Sequence, residues 1–124
     1  MSSFARKIRP HVDAELRLAE DAELRGNPSE AFIHLERAHV LGQASTLQHV
    51  RVHWRMFIWG LQNRSPRECV GQAIRIVGAA TKTAFGLVPS GNTGGSNISP
   101  FKPLPVAPDL AAVIRTARLR TDEG

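Results

Sequence analysis

Residues 34–53 read HLERAHVLGQASTLQHVRVH and contain four of the five histidines in the chain. A short polar hinge at residues 42–45 separates two segments of helical character, which predicts two antiparallel helices meeting at a turn. Counted from Ala44 at the middle of this hinge, His39 lies five residues before it and His49 five residues after it. We therefore expect these two histidines at about the same height on facing helices.

Two pairs of side chains can face each other across this turn. Glu36 lies one turn from His39 on the first helix, and His53 lies one turn from His49 on the second. Residues three or four apart share one face of a helix. Three imidazoles and one carboxylate suit a divalent transition metal ion. The sequence therefore predicts a metal site formed by Glu36, His39, His49 and His53.

The donor set narrows the choice of metal. It contains nitrogen and oxygen atoms and no thiolate, which argues against copper(I) and against a cysteine-rich zinc site. Zinc is the leading candidate, and nickel, cobalt, iron and copper(II) stay open. A dinuclear site would need further carboxylates, so a mononuclear site is favoured. The only loose candidates for those carboxylates are Asp13, Glu15, Glu20 and Asp21.

The other histidines are expected outside the site. His34 lies five residues before His39, which is about 140° around the helix. His11 stands alone and is expected at the surface. For any single histidine, solvation or a bond to nearby backbone is the simpler interpretation. The metal prediction therefore depends on the four matched positions taken together.

Composition limits the class of protein. The 124 residues carry a formal charge of +5, but no block reaches five or six like charges, so nucleic acid is not an expected partner. The single cysteine, Cys69, excludes an internal disulfide and fits a reducing cytoplasm. No secretory h-region is visible, and no apolar run approaches the ~20 residues that span a bilayer. We expect a soluble cytoplasmic protein.

Helical periodicity and capping signals predict an all-α single domain over residues 1–124. After a frayed lead-in at residues 1–9, helices are expected at about 11–25, 28–41, 45–63, 65–86 and 110–119. In domain terms these are a helical core at 10–86, a Gly/Pro-rich arm at 87–108 and a terminal helix at 109–120. Apolar residues at helical spacing are expected to face the core, among them Leu16, Leu24, Leu35, Trp54, Leu61, Val70, Ile74 and Val77.

The first four predicted helices form an internal repeat of one two-helix unit. A shift of 39 residues matches Leu35 with Ile74 and Ala38 with Val77. The pattern of small and apolar residues resembles the tetratricopeptide-type helical hairpin. We therefore predict two stacked antiparallel hairpins, with the irregular arm lying back on them. The glycine-rich loop at residues 91–97 is interpreted as a structured turn rather than a phosphate site.

Three blocks of the sequence also resemble a known family. Residues 32–43 read F-x-HLERAH-x-LGQ, the next block is His49-x-x-x-His53-Trp54, and a third runs from Pro89 to Pro103. These blocks look like those of an uncharacterised bacterial family of small helical proteins, a domain of unknown function. The resemblance implies bacterial origin and no established activity, and it lends no catalytic residues.

Three functions stay open on the sequence. The first is binding of a divalent transition metal for handling, sensing or a structural purpose. The second is a tetratricopeptide-like interaction module in which Arg51 and Arg55 meet an acidic protein partner. The third is an enzyme with His39 or His53 as general base and the loop at 91–97 holding an anion. Two short hairpins expose much apolar surface, so a homodimer is also expected.

Overall fold

The computed structural model describes residues 2–82 and 105–119. All regular secondary structure in these residues is α-helical, which confirms the predicted all-α class. Within the same residues, no helix combines the length and the apolar character needed to cross a membrane. The helices are α1 (Ser3–Leu24), α2 (Pro28–Gly42), α3 (Thr46–Gln62), α4 (Pro66–Lys82) and α5 (Pro108–Leu119).

The first helix begins earlier than the sequence predicts. α1 starts at Ser3, so the frayed lead-in predicted for residues 1–9 is wrong from that point on. The hydroxyl of Ser2 accepts a hydrogen bond from the backbone N–H of Ala5 at 3.1 Å and caps the helix. The helix then continues through Pro10, which cannot donate a backbone hydrogen bond. Buried apolar side chains before and after the proline hold the helix together across it.

The predicted breaks between helices are confirmed by their local chemistry. Gly26 has a φ of 76°, a left-handed conformation that glycine adopts without a steric penalty. The side chain of Asn27 accepts from the backbone N–H of Glu30 at 3.2 Å and caps α2. Ser65 caps α4 in the same way, by accepting from the backbone N–H of Glu68 at 3.4 Å.

Gly42 leads into the turn between α2 and α3. It is the last residue of α2, and the turn follows it directly. A Cβ atom on Gly42 would lie 2.9 Å from Cβ of Gln48 and 3.4 Å from a methyl carbon of Val12. No side chain fits there, so glycine lets the start of α3 and the middle of α1 approach the end of α2.

The helices form two stacked hairpins, as predicted. α1 packs along α2 and α3 packs along α4, while a smaller contact between α2 and α3 joins the two hairpins. α5 packs against α1 and α2. The apolar core comes from α1, α2, α3 and α5, and among the described residues α4 contributes nothing to it. Its most deeply buried members include Ile8, Val12, Ala22, Ala31, Ala38, Val52 and Met56.

The predicted apolar faces of α3 and α4 are wrong. Trp54 is 52% exposed and Ile74 is 69% exposed, although both were expected in the core. The inward positions of these helices instead carry His49, His53 and Gln72, all of them buried. The inner face of the second hairpin therefore combines polar side chains with the apolar core residues that α3 contributes, while the predicted apolar stripe of α4 lies on the outside.

Some predictions lie outside the described residues. They include the end of the fourth helix at 85–86, most of the arm at 87–108 and the glycine-rich loop at 91–97. Residues 105–107 have no regular structure and lead directly into α5. That helix begins at Pro108, two residues before the predicted start at residue 110.

Candidate metal centre

Three buried histidines converge between α2 and α3. Nε2 of His39 lies 3.0 Å from Nε2 of His49 and 3.1 Å from Nε2 of His53. The three ring centroids are 4.7–4.8 Å apart. The exposed fractions are 2% for His39, 6% for His49 and 2% for His53, so the cluster is shielded from solvent.

The tight turn after α2 brings these rings together. The backbone N–H of Ser45 donates to the carbonyl of Gly42 at 2.9 Å, and that of His49 donates to the carbonyl of Ser45 at 2.8 Å. α3 therefore starts almost immediately after α2 ends. His49 lies in the first turn of α3, opposite His39 in the last turns of α2, and His53 follows one turn further along α3.

The other predicted site residues are placed differently. Among the described side chains, the potential ligand atoms that lie within 4.8 Å of one another belong to the three histidines. Glu36 is half-buried one turn before His39 and is not a member of this group. His34 lies outside it, since its Nδ1 is 2.7 Å from a carboxylate oxygen of Glu15 on α1. His11 is exposed, as expected.

The acidic residues of α1 are engaged elsewhere. Asp13 accepts a hydrogen bond from Arg51 at 2.5 Å, and Glu20 lies 3.6 Å from the guanidinium of Arg55. These carboxylates therefore pair with arginines of α3 rather than complete a dinuclear site. Both arginines, which the sequence offered to an acidic partner, contact α1. The described residues fit a mononuclear cluster.

A buried polar chain on α4 leads to His53. Nδ1 of His53 lies 2.5 Å from Oε1 of Gln72, and Nε2 of Gln72 donates to Oε1 of Glu68 at 2.6 Å. Gln72 is 0% exposed and Glu68 is 8% exposed. Neither residue is among those predicted for the site. The available signal was a polar pair four residues apart in a helix that otherwise reads as apolar.

Burial keeps His53 neutral. Desolvation lowers the pKa of His53 to about 4, and the positive charge of Arg75 acts in the same direction. The hydrogen bond to Gln72 and the negative charge of Glu68 raise this pKa, but by less. The imidazole is therefore uncharged near neutral pH, which is the form that binds metal ions.

Cys69 is not part of the cluster. Its side chain is half-buried against α3, and its sulfur is not among the grouped ligand atoms. The enzyme alternative needs the histidines to reach the loop at residues 91–97, and that loop lies outside the described residues. The described part of the site thus consists of three imidazoles and the polar chain behind His53.

These features define a small all-helical protein with a buried three-histidine cluster. Residues 6–114 match a family described as "Protein of unknown function (DUF3703)". Because the match covers most of the chain, the chain belongs to this family, which confirms the resemblance to small proteins of unknown function. No curated protein and no solved structure matches the chain.

Proposed function

We propose that the protein binds one divalent transition metal ion through His39, His49 and His53. The observation that carries this proposal is the position of His39 Nε2, within 3.1 Å of the Nε2 atoms of both other histidines. All three rings are buried, and separations of 3.0 and 3.1 Å leave no room for a water molecule between His39 and either neighbour. A cation at their centre would be bound by three nitrogen atoms that the fold already brings together.

Hydrogen bonds between the three neutral imidazoles cannot satisfy all of these contacts. Each neutral imidazole carries one N–H group and one lone pair. His39 Nε2 can either donate to a neighbour or accept from one, yet it faces two neighbours at hydrogen-bond distance. One of the two contacts is then left with a shared proton or with facing lone pairs. A metal ion removes this conflict because it accepts all three lone pairs at once.

The spacing of the nitrogen atoms suits a metal of this size. A tetrahedral Zn²⁺ ion with Zn–N distances of about 2.0–2.1 Å separates its ligand nitrogens by about 3.3–3.4 Å. The two separations from His39, 3.0 and 3.1 Å, need to widen by only a few tenths of an ångström, and all three potential ligand atoms lie within 4.8 Å of one another. Zinc is the leading candidate, and nickel, cobalt, iron and copper(II) share the preference for imidazole.

The number of protein ligands limits the roles that the metal site can have. Four protein ligands make a closed structural or sensory site, whereas three leave a position for water or substrate. Metal handling, sensing and structural roles are all compatible with three imidazoles. The absorption spectrum of the Co²⁺-loaded protein distinguishes four-coordinate from higher-coordinate sites.

Metal analysis tests the proposal directly. Protein purified without a His-tag, stripped with a chelator and titrated with Zn²⁺ should bind one ion per chain. The double variant His49→Ala/His53→Ala should lose this binding. The matched control is His11→Ala/His34→Ala, which removes two histidines outside the cluster and should keep it. Equal zinc contents in the wild type and the site variant would overturn the proposal.

We also propose that the protein forms a homodimer through the outer face of α4. Val70, Ile74 and Val77 are 61%, 69% and 71% exposed, and their spacing places them on one side of the helix. Such an apolar stripe is a typical surface for a partner helix. Light scattering should give twice the chain mass for the wild type and a single chain mass for Ile74→Asp.

A further inference from the structure

Two buried polar residues of α4 stand behind one of the three histidines. Gln72 is fully buried and contacts the Nδ1 side of His53, the side that faces away from His39. Glu68, one turn earlier on α4, accepts a hydrogen bond from Gln72 and is itself almost fully buried. Burying a polar side chain costs free energy unless it is hydrogen-bonded.

The carboxylate of Glu68 fixes which way Gln72 points. An ionised carboxylate only accepts hydrogen bonds, so the amide nitrogen of Gln72 must face it. The amide oxygen of Gln72 is then the atom that faces His53, at 2.5 Å. Because an amide oxygen only accepts, Nδ1 of His53 must carry the proton.

This proton position determines what the imidazole offers to the cluster. A neutral histidine with its proton on Nδ1 has a lone pair on Nε2. Nε2 of His53 is the atom that lies 3.1 Å from Nε2 of His39. The chain from Glu68 through Gln72 therefore turns a lone pair toward the centre of the three rings, as a metal ligand requires.

We propose that Gln72 is a positioning residue that holds His53 in the Nδ1–H tautomer with Nε2 ready to bind the metal. Glu68 in turn orients Gln72. The effect of Gln72 on metal affinity rests on the proposed function, whereas the tautomer of His53 is a property of the metal-free protein. Partners that bond the outer nitrogen of a metal-binding histidine fix its orientation, and their loss typically weakens metal binding about 10- to 100-fold.

A neutral amide suits this position between the carboxylate and the ring. A carboxylate bonded directly to Nδ1 would add a negative charge beside the imidazole and favour its protonation. Gln72 transmits the orientation set by Glu68 while keeping that charge one residue away. His53 thus keeps a fixed proton on Nδ1 in a site where two other imidazoles lie within contact distance.

Nuclear magnetic resonance of the metal-free protein tests the tautomer. Long-range ¹H–¹⁵N correlations of the histidine rings show which nitrogen carries the proton. We expect His53 to be an Nδ1–H tautomer in the wild type and a mixture in Gln72→Met, which keeps the volume and removes the acceptor. A wild-type His53 with its proton on Nε2 overturns the proposal, and this measurement needs no variant to fold.

Glu68→Gln gives a second test of the relay. A glutamine at this position can accept from Gln72 or donate to it, so Gln72 is free to turn its NH₂ group toward His53. We expect mixed tautomers of His53 in this variant as well. A single Nδ1–H tautomer in Glu68→Gln would show that Glu68 does not orient Gln72.

Metal affinity tests the link to the site. Gln72→Met should bind Zn²⁺ about 10- to 100-fold more weakly than the wild type in competition with a chelator. The matched control is Gln48→Met, because Gln48 is 1% exposed and bonds Arg51 on the side of α3 that faces α1. Its affinity should stay within about threefold of wild type. Equal affinities for both variants overturn the positioning role.

The two measurements separate this inference from the proposed function. A wild type that binds no zinc defeats the metal site and with it the effect on affinity, while the tautomer of His53 is still read in the same sample. A wild type that binds zinc, with an unchanged affinity in Gln72→Met, defeats the positioning role alone.

Discussion

A Cβ atom on Gly60 of α3 would lie 3.0 Å from Sγ of Cys69 on α4 and 3.2 Å from the backbone nitrogen of the same residue. Gly60 therefore permits a closer approach of the two helices than any other residue would. It stands seven positions after His53, which meets Gln72 across the same interface. The close approach and the hydrogen bond behind the His53 ring thus belong to the same interface between α3 and α4.

Gly60→Ala should destabilise the protein and loosen the site. Alanine gains about 1 kcal/mol over glycine in helix propensity. Overpacking at a tight contact costs about 1–3 kcal/mol, so a net loss of up to about 2 kcal/mol in the free energy of unfolding is expected. Urea denaturation measures this loss, and zinc titration of the same variant should show a lower affinity because α4 moves away from α3.

A second substitution separates the two contacts of Gly60. Cys69→Ala removes the sulfur and leaves the backbone nitrogen in place. Gly60→Ala should therefore be less harmful in a Cys69→Ala background, without becoming neutral. A Gly60→Ala variant that is more stable than the wild type would mean that helix propensity outweighs the close approach.

Glu36 and His39 should respond differently to substitution. Glu36 lies outside the group of three converging ligands, so Glu36→Gln is expected to keep zinc affinity within about threefold of wild type. His39 is one of those three, and His39→Ala should lower the affinity strongly, though by less than removing both histidines of α3. Titration of the two variants against a chelator measures both effects. A large loss in Glu36→Gln would instead identify Glu36 as the fourth ligand.

The first hairpin could be predicted from the sequence because its chemistry is conventional. Most apolar residues at helical spacing face the core, and glycine followed by a proline-initiated helix marks the break between α1 and α2. The convergence of His39 with His49 and His53 follows from the same logic, since a short turn fixes the relative height of two helices. That part of the site is a local property of residues 34–53.

The second hairpin could not be predicted in the same way. Its inner face mixes buried polar side chains with Val52 and Met56 of α3, so a search for apolar stripes misassigns the outward-facing residues of α3 and α4. Gln72 comes 19 residues after His53, and only the crossing of α3 and α4 brings the two together. Glu68 makes two contacts from the start of α4: its backbone N–H donates to the hydroxyl of Ser65, and its side chain accepts from Gln72.

The same substitution at Leu16 and at Leu24 tests which leucines of α1 lie in the core. Both belong to the apolar stripe predicted for the first helix, but Leu16 is 2% exposed and Leu24 is 86% exposed. Leu16→Ala should lower the free energy of unfolding by about 2–5 kcal/mol. Leu24→Ala should stay within about 0.5 kcal/mol of wild type, since it removes little buried surface. Similar losses in urea denaturation would contradict the structure at the end of α1.

Glu15 and Glu20 of α1 offer a similar contrast for ion pairs. Glu15 is 8% exposed, and its two carboxylate oxygens lie 2.7 Å from Nδ1 of His34 and 2.8 Å from Nε of Arg37. Glu15→Ala leaves both partners without this acceptor, although Arg37 keeps its bond to Asp109. A loss of about 1–3 kcal/mol in the free energy of unfolding is therefore expected.

Glu20→Ala is the matched control on the same helix. The Glu20 side chain is 63% exposed and lies 3.6 Å from the guanidinium of Arg55, so solvent screens the pair. Its removal should cost less than about 1 kcal/mol. Because Arg37 also bonds Asp109, the Glu15 cluster connects α1 and α2 to α5, whereas the pair made by Glu20 joins only α1 to α3. Urea denaturation of the chelator-treated variants compares the two, and equal losses would show that the buried cluster adds nothing beyond a surface ion pair.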